Sequence, residues 1–192
     1  MKLYKYESYQ EYVDAQIAAN VRKINNVWVR PSTITKIKAA AGGNIQTIMC
    51  HGTRNATEQK YFRDAYPFAM IVGTEISHTA DQFPMTVQWD FHEEKEGWIN
   101  RFDLIYSNSF DHSYDPDKCL TTWVGQLASG GKLFLEHALA ESDNRSRVSD
   151  PLEISIEELV ELLESKGLRI TTRLQQNDFK NHPSVILVCE KL

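Results

Sequence analysis

Residues 45–75 read IQTIMCHGTRNATEQKYFRDAYPFAMIVGTE, and the order of patterns in this stretch decides the fold. Residues 45–50 (IQTIMC) form a short apolar run suited to a buried strand. HGTRNATE follows as a loop. Asn55 and Glu58 are expected to cap a helix that carries Tyr61, Phe62 and Ala65 and is closed by Pro67. Residues 69–73 (AMIVG) give a second buried strand. Strand, helix and strand in so short a span is the unit from which open parallel sheets are built.

The same alternation continues towards the C-terminus. Residues 85–89 and 102–107 (FDLIYS) read as third and fourth strands. Asp115 or Pro116 opens a helix through Leu120, Trp123, Val124 and Leu127, expected to end at Gly130-Gly131. Residues 132–136 (KLFLE) make a fifth strand, and the polar stretch 141–150 is expected to be a mobile loop. Ser155 and Glu158 form a capping box before the stripe Ile156, Leu159, Val160, Leu162 and Leu163, with Gly167 as a natural stop. Residues 168–174 and 185–190 are strands with no helical pattern between them. They should therefore pair antiparallel, giving a mostly parallel α/β sheet with a reversed edge.

Towards the N-terminus, residues 8–28 read as a helix. Ser8 and Glu11 cap it, and Val13, Ile17, Val21, Ile24 and Trp28 share one face. Pro31 breaks it, and Ser32 caps a second helix that ends at Gly42-Gly43. The chain is expected to be one domain over residues 1–192, with 1–44 as a helical lid or cover and 45–192 as the core.

Composition narrows the function. The chain has 192 residues, 42% hydrophobic, with a net charge of −5, so it can fill a core but shows no basic stripe for nucleic acid. The three cysteines are far apart and the six histidines lack metal-ligand spacing, so neither a disulfide framework nor a metal site is expected. MKLYKYESYQ has no apolar h-region and no stretch is long enough to span a membrane, so cytoplasm is the expected location.

Ligands of open α/β sheets bind beyond the carboxyl ends of the strands. After strand one stand His51, Gly52 and Thr53; Gly52 permits a close backbone approach. After strand two stands Glu75, a carboxylate able to accept from both hydroxyls of a ribose. Asp90 after strand three can accept from an exocyclic amine. Ser107-Asn108-Ser109-Phe110-Asp111-His112 follows strand four.

These segments together resemble the class I S-adenosylmethionine-dependent methyltransferase superfamily, most closely its small members of the methyltransferase type 11 kind. IMCHGTRNA stands where that family has a strand, an acid and a glycine-rich loop. AMIVGTE resembles the strand that ends in the ribose acid, and TVQWDFHE the segment whose Asp meets adenine. FDLIYSNSFDHSYDP, LASGGKLFLEH and SIEELVELLESKGLRI resemble the later strands and helix. The resemblance implies a Rossmann-like seven-stranded sheet of order 3-2-1-4-5-7-6 with the last strand antiparallel, S-adenosylmethionine as cofactor, and methyl transfer to a small-molecule acceptor.

It also implies a cofactor site from His51, Gly52, Thr53, Glu75, Ile76, Asp90, Phe91, Ser107, Asn108 and Phe110. His112 is the first candidate for a base, with Asp111 to orient it, and His137 is the second. Tyr9 and Tyr12 are expected in the lid. The glycine-rich loop departs from the family. Cys50 replaces its acid, and Arg54 and Ala56 replace two of its glycines. Arg54 is expected to turn outward, and His51, Thr53 or Glu58 to replace the lost contact to the methionine amino group. A non-catalytic cofactor-binding module is the alternative function, and a nicotinamide-dependent dehydrogenase the third.

Overall fold

Strand β1 (Lys2–Leu3) pairs antiparallel with a distant segment, β7 (Leu152–Glu153), in register Lys2↔Glu153 and Leu3↔Leu152. This two-stranded ribbon has no local sequence signal and was not expected. The structure is a computed structural model and describes residues 1–139, 147–177 and 183–192.

Helices α1 (Tyr9–Arg22) and α2 (Pro31–Ala41) follow β1. Next come β2 (Thr47–His51), α3 (Thr57–Ala65), β3 (Met70–Glu75) and β4 (Thr86–Gln88). The chain continues with β5 (Phe102–Ser107), α4 (Pro116–Gln126) and β6 (Leu127–Ala138). After β7 come α5 (Ile156–Ser165), β8 (Leu168–Gln176) and β9 (Ser184–Lys191).

The main sheet has seven strands in the order β4-β3-β2-β5-β6-β9-β8. The first five run parallel, and β9 is antiparallel to both neighbours. This is the expected 3-2-1-4-5-7-6 arrangement with its last strand reversed.

Strand periodicity divides the core into two layers. Ile48 and Cys50 of β2 face α2 and α3, where they meet Ile34, Ile37 and Phe62. Met49 faces the opposite side, with Leu120 and Trp123 of α4 and Leu159 and Leu163 of α5. Helices on both faces explain why β2, β5 and β9 read as continuous apolar runs rather than as alternating ones. All three cysteines are buried and free.

Several expectations are corrected. The first helix stops at Arg22 rather than running to residue 28, and Pro31 opens α2 as its first residue instead of only breaking α1. The buried face of α1 is Tyr12, Gln16, Ala19 and Asn20. The expected stripe lies partly in solvent, with Val21 49% and Trp28 43% exposed. The reason is that α1 lies over the polar strand ends and not over an apolar sheet face. Asn55 does not cap α3. Ala56 is the N-cap residue, and the Asn55 amide donates to the carbonyls of Ile24 and Asn26, tying the loop after β2 to the α1–α2 link. Helix α4 ends at Gln126, before the glycine pair, because Leu127 already pairs with Phe102. The expected loop at 141–150 lies outside the described residues up to 146, as does 178–182 in the β8–β9 connection.

Candidate functional site

Sheet register sets the strand ends level. His51 pairs with Thr74 on one side and with Ser107 on the other, and Ser107 pairs with Leu135. The next residues of β2, β3 and β5 therefore emerge on one rim. In the loop after β2, Gly52, Arg54 and Ala56 have φ of 72°, 45° and 60°. All three positions where the resembled family has glycine take the left-handed backbone, two of them without a glycine to ease it. A Cβ on Gly52 would lie 2.6 Å from Ser109 Cβ, so this glycine also permits the approach of the β5 loop.

Glu75 braces that loop. Its Oε2 accepts from the Arg54 N–H at 3.0 Å and its Oε1 from the Ser77 N–H at 2.9 Å. Burial raises its pKa, against the lowering effect of the Ser77 N–H, the Asn20 amide and the Arg54 N–H. Asp90 goes the other way. Burial would raise its pKa, but the hydrogen bonds and charge of His92 and the Tyr9 hydroxyl outweigh it, and the net shift is downward. Its Oδ1 meets the His92 N–H at 2.9 Å and His92 Nδ1 at 2.6 Å, and its Oδ2 accepts from the Tyr9 hydroxyl at 2.9 Å. Asp90 is thus held ionised.

Two adjoining cavities open on this rim. The first lies beside Gly52, Glu75, Ile76, Asp90 and Phe91 under the polar face of α1, and holds about 50 Å³. That is room for waters but not for a nucleoside. The second holds about 500 Å³, the size of a small-molecule site. Thr53, Glu58, Asn108, Phe110 and Asp111 line one side, and Glu136, His137, Asp150 and Ser184 the other. Gly52, Arg54, Ser109 and His112 border both cavities.

His112 sits at the junction. Its Nδ1–H donates to the Ser149 carbonyl at 2.7 Å, so Nε2 is the ring nitrogen able to accept a proton. Asp150 Oδ1 lies 3.5 Å from Nδ1 and Asp111 Oδ1 4.0 Å from Nε2. Ligand atoms of these three residues fall within 4.8 Å of one another. Burial lowers the pKa of His137 across the second cavity.

Two sequence candidates stand apart from both cavities. The His51 ring stacks on Trp123 at 4.7 Å between centroids, donates from Nε2 to Gln126 Oε1 and faces Thr74 Oγ1 with Nδ1. Burial lowers its pKa to about 3, so the ring is neutral. Strand alternation already implied this side, because His51 is two residues from Met49, which faces α4. Ser107 is buried, with its hydroxyl donating to the His51 carbonyl. Arg54 does not turn wholly outward; its Nη1 donates to the Asn26 carbonyl across the cavity rim. Sequence reasoning missed Gln16 and Asn20, although Tyr12, Gln16, Ala19 and Asn20 fall at helical spacing. It also missed Asp150 and Ser184, which carry no local signal.

No family model matches the chain, and no curated protein does. Solved structures do. The chain is similar to a Burkholderia thailandensis 1,6-didemethyltoxoflavin-N1-methyltransferase bound to its didemethyltoxoflavin and S-adenosylhomocysteine. The TM-score is 0.75 at 15% identity, covering 98% of this chain and 92% of that one. It is similar to the Bradyrhizobium japonicum N-methyltransferase NodS with S-adenosylhomocysteine, with a TM-score of 0.68 at 13% identity, over 93% and 99% of the two chains. It is also similar to the [4+2]-cyclase SpnF, with a TM-score of 0.65 at 14% identity, over 99% and 98%. At such identities the likeness establishes the fold, and the cyclase shows that the fold hosts more than one chemistry.

Proposed function

We propose that this chain transfers a methyl group from S-adenosylmethionine to a small-molecule acceptor, with residues 45–192 as the catalytic core and 1–44 as its cover. One observation carries the reading. Gly52, Glu75 and Asp90, at or just beyond the ends of three neighbouring parallel strands, border one cavity, and His112 borders both it and a second of about 500 Å³. The polar groups suit the cofactor: Glu75 for a ribose diol, Asp90 for an adenine amine. Helix α1 lines the first cavity, whose volume of about 50 Å³ is too small for adenosine, so binding requires α1 to shift and Tyr9 to leave Asp90.

Bound S-adenosylmethionine supplies an electrophilic methyl group on its sulfonium. The protein's contribution is placement and a proton acceptor. Residues beyond β2, β3 and β4 would hold the cofactor with its methyl toward the acceptor side, and His112 Nε2 would take any proton that the acceptor gives up on methylation. The Ser149 carbonyl holds the His112 ring in the tautomer this needs. Phe110 and the 136–138 segment line the acceptor side.

Calorimetry tests the reading. S-adenosylmethionine or S-adenosylhomocysteine should bind, with NAD and ATP much weaker. Tight NAD binding without response to S-adenosylhomocysteine would falsify it. A second reading, a binding module without turnover, is favoured by Arg54 and Ala56 in the loop. It predicts cofactor binding unaffected by His112→Ala and no methylated product from any acceptor.

A further inference from the structure

The larger cavity is lined by a buried carboxylate that has no ion-pair partner among the described residues. Glu58, in the first turn of α3, is 7% exposed and lines the cavity, and its Oε2 has no hydrogen-bond partner. The amide nitrogen of Asn108, also on this floor, has none either. The Asn108 side chain acts on this carboxyl without closing a well-formed bond on Oε2, so a donor from a ligand can complete the carboxylate. What faces Glu58 defines that ligand. The Arg54 guanidinium and Asn108 act on its carboxyl from the loops after β2 and β5, and Glu136 repels it from β6. The Cys50 thiol and the Tyr106 hydroxyl lie near it, both pushed well above their ordinary pKa by burial and so neutral. No cation shares the floor closely enough to form an ion pair with Glu58 among the described residues.

We infer that Glu58 is the seat for the α-ammonium group of the cofactor's amino-acid end. The inference rests on the methyl-transfer reading and adds to it a residue that the departing loop, with Cys50 in place of the usual acid, does not supply. An aliphatic ammonium could come from the cofactor or from an amine acceptor. Arg54, close enough to act on Glu58, favours the cofactor, because an amino acid brings a carboxylate beside its ammonium and the guanidinium answers it. Of the three side chains able to replace the missing acid, His51 is stacked away on Trp123 and the Thr53 hydroxyl accepts from Gln59. Glu58 alone among them offers a buried carboxyl oxygen that lines the cavity and closes no hydrogen bond. Burial raises its pKa to about 7, so its ionisation, and with it the ammonium contact, falls away below neutrality.

Calorimetry with two ligands decides the matter. S-adenosylhomocysteine carries the amino-acid end; 5′-deoxy-5′-methylthioadenosine lacks it. The wild-type protein should prefer the former by about thirtyfold or more, and Glu58→Gln should weaken it about 10- to 100-fold while leaving the latter within about threefold. From pH 8 to pH 6 the wild-type affinity for S-adenosylhomocysteine should fall by up to about tenfold, and that of Glu58→Gln should stay level. Equal binding of the two ligands by the wild type, or an unchanged Glu58→Gln, overturns the inference and leaves the methyl-transfer reading in place. Failure of both ligands to bind a folded wild-type protein overturns that reading and the inference with it. An equal loss of both ligands in Glu58→Gln assigns the residue to the loop's structure and overturns the inference alone.

Discussion

The Tyr9 hydroxyl donates to Asp90 Oδ2 at 2.9 Å, joining the first turn of α1 to the acid beyond β4. On the proposed reading it takes the place of a donating adenine amine, so α1 must give up this bond before the ligand can make it. Tyr9→Phe should cost about 1–2 kcal/mol of stability, as a hydrogen bond to a charged group, and about 2–8 °C in Tm. It should also tighten S-adenosylhomocysteine binding severalfold, because the bond no longer has to break. Weaker binding in this variant would instead make Tyr9 a ligand contact.

Glu75 serves its own backbone before any ligand. Its two oxygens accept from Arg54 and Ser77, and Glu75→Ala leaves both N–H groups without that partner. Cofactor affinity should fall by about 1.5–3 kcal/mol, with a lower Tm in the absence of ligand. A variant that loses affinity at unchanged Tm would show that the brace is dispensable and that the carboxylate acts on the ligand alone.

The loop after β2 gives a pair of opposite expectations. Ala56 is left-handed at φ 60° and is the N-cap residue of α3. Glycine relieves that backbone and is the better cap, so Ala56→Gly should raise stability by about 0.5–1.5 kcal/mol. Gly52→Val should unfold the rim or abolish binding, since even its Cβ would fall 2.6 Å from Ser109 Cβ. Thermal melts of the two variants check both signs.

Glu58 also predicts a pH dependence of stability. Its pKa is raised from 4.5 to about 7 in the folded protein. The folded state therefore holds a proton that the unfolded state has lost, and this group's contribution declines as pH rises from 4.5 through 7. Glu58→Gln should gain on the wild type over that window by about 2–3 kcal/mol. A difference that does not change with pH in denaturant titrations would mean that the carboxyl ionises at its ordinary value.

His112 separates catalysis from architecture once an acceptor is in hand. As the base, His112→Ala should lower turnover about 10²- to 10⁴-fold with cofactor affinity within a few-fold. Unchanged turnover, or a loss that tracks Tm, would leave the ring as a clasp on Ser149 and placement as the main catalytic contribution.

The order of the seven main-sheet strands, the reversed edge of that sheet and the acids at or just past the ends of β3 and β4 were legible in the chain. Each is a local pattern: an apolar run, a helical spacing, a residue type just past a strand, as at Phe102–Ser107, where expectation and structure coincide. Which face α1 buries, the β1–β7 ribbon, the reach of Tyr9 to Asp90, of Asp150 to His112 and of Asn108 to Glu58 came only from the packing of the whole chain. Tyr9 and Asp90 are 81 residues apart, so no periodicity links them. Such contacts arise from how packed elements set strand ends and loops against one another, and no short window of the chain contains both partners.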